Sequence, residues 1–266
     1  MSGRRILISG ASRGIGEALA REYAGPGVSL VLAGRDAGRL ETVAAACRAA
    51  GAEAEILVLD IRDREAASEA LRRMDEAAPL DLLIANAGVQ KPTRDDPGDI
   101  ISSFEEIETN LLGALNTVAP LAGRMAARGR GQIALMSSLA AYVALPDSPG
   151  YSASKAGLLA WGLALRERLR RTGVRVSVVC PGYIDAGMGR RFKGWQPQVV
   201  PVGRTAALIR RGLERDKAVI VFPFPLSWVA RLSPFLPDWL SALTMRSFRF
   251  RVDEEPPSPE GEAGHG

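Results

Sequence analysis

Seven short apolar runs, separated by stretches of helical periodicity, constrain the fold of this chain more than any other feature of its sequence. Each run is too short for a helix, is rich in Val, Ile and Leu, and is bounded by Gly, Pro or charged residues. These are properties of strands that are buried on both faces of a sheet. Repeated strand–helix alternation predicts a parallel sheet with right-handed crossovers and helices on both faces. The predicted strands are residues 6–9, 28–33, 55–59, 80–85, 132–137, 175–180 and 218–222.

The alternation predicts an α/β protein with a doubly wound, parallel-sheet fold of the Rossmann type, in a single domain over residues 1–252. No linker or internal repeat divides this body, and a chain of 266 residues can bury a sizeable core without disulfides or metals. Residues 222–250 add an apolar helical extension on the C-terminal side. Residues 253–266 are acidic and rich in Pro and Gly, so we expect a disordered tail there.

The scarcity of histidine and cysteine argues against several kinds of catalytic site. His265, the only histidine, lies in the predicted tail, which disfavours Ser-His-Asp or Cys-His nucleophilic catalysis and a zinc site of His and Cys ligands. We therefore expect no metal. Cys47 and Cys180 are the only cysteines, and Cys180 lies in an apolar run where a buried free thiol is expected.

Charge and the N-terminal residues bear on partners and location. The net charge is +4, but the arginines are scattered and no basic stripe interleaved with aromatic residues is present. Nucleic acid is therefore not an expected partner. Met1 is followed by no signal-type apolar stretch, and the two cysteines form no disulfide framework. These features predict a cytoplasmic protein, with association at a membrane surface left open.

A glycine-rich turn follows the first predicted strand in the sequence Ser9-Gly-Ala-Ser-Arg-Gly-Ile-Gly16. Glycines between a strand and a helix let the backbone approach a pyrophosphate, and the helix N-terminus supplies free N–H groups and a positive dipole end. Glycine also serves turns for steric reasons alone, but the position in the first strand–helix unit favours nucleotide binding. The predicted contacts from this turn are Gly10, Ser12, Arg13, Gly14, Ile15 and Gly16.

The end of the second predicted strand bears on the choice of cofactor. Enzymes that prefer NAD usually place an acid there to bind the ribose 2′-hydroxyl, whereas an arginine accommodates a 2′-phosphate. Gly34 stands where that acid is expected, Arg35 follows it, and Arg13 lies in the glycine turn near the same phosphate. Two guanidinium groups can clamp a phosphate, so NADPH is the predicted cofactor. NADH is the alternative, for two reasons. Asp36 is an acid that lies after Arg35, beyond the expected position, and Arg35 could be a surface residue that opens a helix.

Two further loops follow strand ends on the same edge of the predicted sheet. Asp60 and Ile61 follow the third strand and are predicted to contact the adenine ring. Asn86, Ala87 and Gly88 form a small-residue turn after the fourth strand, where a bulky side chain would block a cofactor. Neither loop is specific by itself.

A tyrosine and a lysine share one face of the predicted sixth helix in the sequence Tyr151-Ser-Ala-Ser-Lys155, because positions i and i+4 are neighbours on a helix. An isolated phenol has a pKa near 10, and a cation close by is expected to lower it. The lysine is also placed to bind the nicotinamide ribose. Ser138 ends the fifth strand, where the cofactor-binding loops converge. A Tyr-x-x-x-Lys pair alone arises by chance in many helices. Chance is a poor explanation for the glycine turn, the serine and this pair occurring together in this order.

Taken in order, these motifs resemble those of the short-chain dehydrogenase/reductase family over residues 4 to about 222. The resemblance rests on Gly10-x3-Gly14-x-Gly16, Asn86-Ala-Gly88, Asn110, Ser138, Tyr151-x-x-x-Lys155 and Pro181-Gly182. It implies that Tyr151 is the general acid toward the carbonyl oxygen, that Lys155 tunes it and holds the ribose, and that Ser138 orients the substrate. Asn110 matches the asparagine of a water-mediated proton relay, with a helix-interior hydrogen bond as the alternative.

The chain departs from the family pattern after Pro181-Gly182. Where the family often carries a threonine near the nicotinamide carboxamide, this chain has Ala186, so one side-chain hydrogen bond is missing and backbone groups near Ile184 are expected to serve. The apolar extension is the second departure. It covers the core or a subunit interface, closes over an apolar substrate channel, or rests on a membrane surface, the last over residues 222–251. Its aromatic residues are Phe222, Phe224, Trp228, Phe235, Trp239, Phe248 and Phe250.

The resemblance implies an NADPH-dependent oxidoreductase that reduces a ketone or aldehyde to an alcohol, the cofactor carrying hydride and the protein supplying a proton and orientation. The extension favours an apolar or lipid-like carbonyl substrate. Alcohol oxidation by the same residues is one alternative, and a dinucleotide-sensing protein without turnover is another. A homo-oligomer is the family expectation.

Overall fold

The computed structural model describes residues 4–92, 100–233, 237 and 251–253. A seven-stranded parallel sheet forms its centre, with the strand order β10-β6-β5-β4-β1-β2-β3. Every predicted run is a strand of this sheet, with bounds that shift by one or two residues. The strands are β1 Arg4–Ser9, β2 Val28–Gly34, β3 Glu53–Val58, β4 Leu82–Ala85, β5 Gly131–Met136, β6 Val174–Pro181 and β10 Val219–Phe222.

Helices flank the sheet on both sides, which confirms the doubly wound α/β fold. The helices are α1 Gly14–Tyr23, α2 Ala37–Ala49, α3 Arg64–Ala77, α4 Ser102–Ile107, α5 Gly113–Ala127, α6 Pro149–Leu169, α7 Val202–Glu214 and α8 Leu226–Leu232. Strand β1 pairs with β2 on one side and with β4 on the other. The strand order therefore reverses at β1, and in such sheets ligands bind beyond the carboxyl ends of the strands at this point.

The two faces of the sheet bury separate apolar layers. Along β1, Ile6 and Ile8 pack into one layer and Leu7 into the other, because successive side chains of a strand point to opposite faces. Cys47 and Cys180 are buried free thiols, one in each layer. Covering both faces explains why the strand runs contain so few polar residues.

Residues beyond β6 form two small two-stranded sheets beside the main one. Strand β7 pairs with β9, and β8 pairs with β11, which is the last described segment of the chain. Their bounds are β7 Ile184–Asp185, β8 Phe192–Lys193, β9 Val200–Pro201 and β11 Arg251–Val252.

The predicted extension is described only in part. Helix α8 lies within it and carries Trp228, Val229 and Leu232 on an exposed surface, with Phe224 exposed just before it. Among the described residues, no helix is long and apolar enough to cross a membrane. The predicted aromatic residues Phe235, Trp239, Phe248 and Phe250, and residues 254–266 of the predicted tail, lie outside the described residues.

Candidate active site

The glycine turn at the end of β1 has a backbone that only glycine accommodates without strain. Gly10 and Gly14 have φ angles of 66° and 61°, in the left-handed region. A Cβ atom on Gly16 would collide with the carbonyl oxygen of Gly10 and lie 2.7 Å from the Asn86 side-chain nitrogen. A Cβ on Gly14 would enter open space, so the turn leaves room beside the first N–H groups of α1. This cradle at a helix N-terminus fits the pyrophosphate of a dinucleotide.

A serine that the sequence analysis did not single out fixes the Asn86 turn against the glycine turn. The buried Ser9 hydroxyl accepts hydrogen bonds from the backbone N–H groups of Asn86, at 3.0 Å, and Ala87, at 3.1 Å. The Asn86 side chain donates to the carbonyl oxygens of Ser9, at 3.0 Å, and Gly10, at 3.2 Å. Asn86 therefore braces the turn through its side chain. The available signal was a polar residue at the last position of a buried apolar strand.

Guanidinium groups surround the outer side of the glycine turn. Burial lowers the pKa of Arg13, and the positive charges of Arg39, Arg191 and Arg35 lower it further, with Asp36 opposing them. Asp36 is engaged as the N-cap of α2: its carboxylate accepts from the Arg39 backbone N–H at 2.9 Å and pairs with the Arg39 side chain at 3.1 Å. The acid that kept NADH as an alternative thus has a structural role in capping.

The loop after β3 is placed at the same edge of the sheet. Asp60 forms an ion pair with Arg62 at 2.6 Å, and this partner lowers the pKa of its carboxyl group. Ile61 is buried against α5, where a Cβ on Gly113 would lie 2.6 Å from its side chain. Contact of Asp60 and Ile61 with an adenine ring stays a prediction.

Tyr151 and Lys155 lie in the first turns of α6 and are brought together as the spacing predicts. The Lys155 ammonium nitrogen is 5.5 Å from the centroid of the Tyr151 ring. It donates a hydrogen bond to the carbonyl oxygen of Met136 at 2.9 Å, and the Ser137 hydroxyl donates to the Lys155 carbonyl oxygen at 2.8 Å. The end of β5 therefore fixes the lysine that shares a site with the tyrosine.

Ser138 directly follows these β5 residues and faces the tyrosine. Its hydroxyl accepts from the backbone N–H of Ala140 at 3.1 Å, which caps a short 3-10 turn, Leu139–Ala141. The same side chain forms a hydrogen bond that lowers the pKa of Tyr151. Ser138, Tyr151 and Lys155 therefore converge at the carboxyl edge of the sheet.

Burial dominates the ionisation of this group, and the expected lowering of the phenol pKa is wrong for the structure. Although Tyr151 keeps some accessible surface, burial raises its pKa to about 12, against the Ser138 hydrogen bond and with smaller contributions from Glu106 and Cys180. Burial also lowers the pKa of Lys155 to about 8. At neutral pH the phenol therefore holds its proton firmly, and the lysine is charged but close to losing its own.

Asn110 lies in a π-helical turn, Glu108–Leu112, that joins α4 to α5, and its side chain is buried. It accepts from the Val89 backbone N–H at 2.7 Å and donates to the Val89 carbonyl oxygen at 2.8 Å. It also donates to the Ser154 hydroxyl at 3.1 Å. The side chain of Asn110 thus links the loop after β4 to α6, and its hydrogen bonds go to these two segments. A role in proton relay stays a prediction.

Gly88 lies where this polar network meets the lysine. A Cβ on Gly88 would be 3.0 Å from the Asn110 side-chain oxygen and 3.3 Å from the Lys155 nitrogen. The Asn-Ala-Gly turn, Asn110 and Lys155 thus lie close together.

The segment after β6 runs past the glycine turn. Gly182, which follows Pro181, donates its backbone N–H to the Phe222 carbonyl oxygen at 2.9 Å. The buried Ile184 accepts at its carbonyl oxygen from the Ala186 N–H at 2.8 Å. That carbonyl is therefore engaged inside the loop, and a contact of backbone groups near Ile184 with the nicotinamide carboxamide stays a prediction.

A buried carboxylate of α4, Glu106, which packs against the start of α6, was also missed. Glu106 accepts from the Lys91 backbone N–H at 2.9 Å, and further hydrogen bonds reach it from the Tyr151 backbone and the Ser148 side chain. Burial nevertheless raises the pKa of Glu106. No sequence signal separates this residue from Glu105, the exposed acid beside it in α4. Among the described residues, no cluster of three or more His, Cys, Asp or Glu side chains is placed to hold a metal ion.

Comparison with known protein families identifies the family of this chain. The family model described as short chain dehydrogenase matches residues 4–197. This chain belongs to the short-chain dehydrogenase/reductase family. As a member, it is an oxidoreductase with a site for a nicotinamide dinucleotide, and it acts on small molecules.

Known proteins are similar to this short-chain dehydrogenase/reductase over most of its length. An uncharacterized oxidoreductase of Myxococcus xanthus (strain DK1622) is 34% identical over 252 residues, covering 94% of this chain and 99% of that protein. Ketoacyl reductase HetN of Nostoc sp. (strain PCC 7120) is 36% identical over 186 residues, covering 70% of this chain and 65% of that protein. The structure of a short chain dehydrogenase from Mycobacterium paratuberculosis bound to NAD matches with a TM-score of 0.73 at 25% identity, covering 83% of this chain and 95% of that one.

Proposed function

We propose that the protein is an NADPH-dependent reductase that converts a ketone or aldehyde to an alcohol. The convergence of Ser138, Tyr151 and Lys155 beside the glycine turn carries the proposal. The similarity to a ketoacyl reductase supports carbonyl reduction as the reaction. NADPH supplies the hydride when it is bound, and the protein supplies orientation and a proton.

In this mechanism Tyr151 donates its phenolic proton to the carbonyl oxygen of the substrate. Burial raises the pKa of Tyr151 to about 12, so at neutral pH the phenol is protonated and has a proton to donate. Ser138 donates a hydrogen bond to the same oxygen and orients the substrate. Lys155 holds the nicotinamide ribose, and Asn110 connects the site to a proton relay through its bonds to the β4 loop.

The preference for NADPH rests on the arginines beside the glycine turn. Arg35 and Arg39 lie within electrostatic range of Arg13. Two acids lie near these arginines, and both are engaged: Asp36 caps α2, and Asp60 is paired with Arg62. NADH is the alternative cofactor, because one of the similar structures, a short chain dehydrogenase from Mycobacterium paratuberculosis, has bound NAD. Because a guanidinium binds a phosphate through charge-assisted hydrogen bonds, this cluster favours the dinucleotide with the additional 2′-phosphate.

We expect Arg35→Ala to weaken NADPH binding about 10-fold or more and to leave NADH binding nearly unchanged, because a hydrogen bond to a charged group contributes about 1.5–3 kcal/mol. Nicotinamide fluorescence titrations of both nucleotides measure this. Arg72→Ala, which removes an exposed arginine on α3, is the matched control and should change neither titration. Equal affinities of the wild-type protein for both nucleotides, untouched by Arg35→Ala, would refute the NADPH preference.

We expect kcat/KM for carbonyl reduction to fall as the pH rises through about 8. The pKa of Lys155 is lowered to about 8, so the ammonium that holds the ribose is present below that pH and lost above it. Tyr151 keeps its proton until about pH 12 and does not cause this fall. In Lys155→Arg the guanidinium stays charged throughout, so whatever activity remains should show no fall near pH 8. A wild-type profile that stays flat well above pH 8 would contradict the role given to Lys155.

The substrate is proposed to be apolar, on the strength of the exposed apolar surface of α8. Helix α8 follows β10, and Pro223 and Leu226 approach Gly182 at the edge that carries the site. We also propose that the protein is cytoplasmic and a homo-oligomer. Oligomerisation would account for the exposed Ile101 and Phe104 at α4.

A further inference from the structure

A fourth arginine, Arg191, lies near Arg13, whose pKa is also lowered by Arg35 and Arg39. Arg191 ends a 3-10 turn, Gly187–Arg191, in the segment between β7 and β8. This segment lies against the glycine turn, since a Cβ on Gly187 would be 3.8 Å from the Gly14 Cα atom. Arg191 is close enough to Arg13 for its charge to lower the pKa of that residue. Its position differs from those of Arg35 and Arg39, which come from the β2 side.

The last described residues of the chain hold Arg191 in this position. Strand β11 pairs with β8, and Val252 is 3% exposed beneath that pairing. The Arg191 side chain donates from Nε to the Asp253 carbonyl oxygen at 2.8 Å, and the Asp253 N–H donates to the Arg191 carbonyl oxygen at 2.9 Å. The Asp253 carboxylate adds an ion pair with Lys193 at 3.5 Å. Because its Nε is bound to the backbone, the remaining guanidinium nitrogens are restricted in where they can point.

Arg13 and Arg191 place two positive charges close together beside the glycine turn. A guanidinium does not lose its proton in a protein, so repulsion between Arg13 and Arg191 is not relieved by ionisation. Burial lowers the pKa of Arg191 and is opposed by the negative charge of Asp253, which is shared with Lys193. Asp36 is shared with Arg39. A bound group with one or two negative charges would offset this repulsion.

We propose that Arg191, held in place by strand β11, binds a phosphate group of the dinucleotide. The proposal rests on the dinucleotide binding set out above and adds a contact from the segment after β6, next to the position of Ala186. Strand β11 and Asp253 thereby take part in nucleotide affinity without touching the nucleotide. The shared chemistry is a phosphate, supplied either by the pyrophosphate or by the 2′-phosphate.

Titration of Arg191→Ala with four ligands tests the proposal: NADPH, NADH, adenosine 2′,5′-bisphosphate and ADP. We expect a loss of affinity of about 10-fold or more, as for one charge-assisted hydrogen bond. A loss confined to NADPH and the bisphosphate assigns Arg191 to the 2′-phosphate, and a loss that includes NADH and ADP assigns it to the pyrophosphate. Nucleotide fluorescence and ligand-induced thermal shift give the affinities without any substrate.

Arg190→Ala is the matched control, because Arg190 is adjacent, exposed and paired with Asp185 at 2.9 Å. It should leave all four affinities unchanged. If Arg191→Ala binds all four ligands as the wild type does, the proposal is wrong, while wild-type binding of NADPH shows that the proposed function still stands. If the wild-type protein binds neither NADPH nor NADH, the proposed function itself fails.

A second substitution tests the role of strand β11. Val252→Asp places a charge beneath the β8–β11 pairing and should release Arg191, so we expect the same ligands to lose affinity as in Arg191→Ala. Combining both substitutions should add little further loss, because they remove the same contact. Full nucleotide affinity in a folded Val252→Asp protein would overturn the part assigned to β11.

Discussion

Replacing Tyr151 with phenylalanine is expected to lower kcat for carbonyl reduction by about 10²–10⁴-fold, the usual contribution of a positioned general acid. The substitution removes one hydroxyl group and keeps the ring that packs beside the Lys155 ammonium. Nucleotide affinity should therefore change little. Steady-state rates with a panel of apolar ketones and a parallel NADPH titration separate the two effects.

Tyr142→Phe is the matched control for this substitution. Its phenol interacts with the Cys180 side chain, and burial likewise raises its pKa to about 12, but it does not belong to the group of Ser138, Tyr151 and Lys155. We expect Tyr142→Phe to keep most of the activity. If Tyr151→Phe reduced ketones as fast as the wild type, Tyr151 would not be the acid. A wild-type protein that binds NADPH and turns over no carbonyl would instead favour a sensing role.

Gly16→Ala is expected to abolish measurable dinucleotide binding and to lower the free energy of unfolding by about 1–3 kcal/mol or more. The added Cβ collides with the Gly10 carbonyl oxygen, which is backbone and cannot rotate away as a flexible side chain would. The clash must move α1 or the turn that cradles the phosphates. Urea unfolding and nucleotide fluorescence measure the two consequences separately.

Gly123→Ala supplies the comparison, because Gly123 is also helical and a Cβ there meets nothing within 4 Å. Alanine in an open helical position should stabilise the protein by about 0.4–1 kcal/mol and leave binding intact. Wild-type affinity for NADPH in Gly16→Ala would mean that the glycine turn does not approach the phosphates as described.

Much of the sheet and of the site could be predicted because each depends on local spacing. Strands buried on both faces must be apolar throughout, so their runs stand out, and the Tyr151–Lys155 spacing places both side chains on one helix face. The topological reversal at β1 then collects the loops that follow β1, β2, β3 and β4 at one edge.

The parts that sequence did not reveal depend on contacts between distant segments. Glu106 resembles its exposed neighbours until α6 is packed against α4. The role of Ser9 depends on the loop after β4, whose Asn86 and Ala87 N–H groups donate to its hydroxyl. The pKa of Tyr151 followed burial instead of the nearby cation, since the balance of these effects depends on the surroundings of both groups. Arg251 and Val252 form a strand through pairing with β8, which no local pattern announces.

The π-helical turn Glu108–Leu112 has a consequence for the direction in which α4 presents its side chains. A π turn holds one residue more than an α turn, and each residue of an α-helix corresponds to about 100° of rotation about the axis. The extra residue therefore sets the rotational phase of α4 relative to α5, and with it the inward orientation of Glu106. A related chain that keeps the tyrosine, lysine and asparagine but lacks one residue of this turn would aim the α4 carboxylate away from the helix that carries the tyrosine.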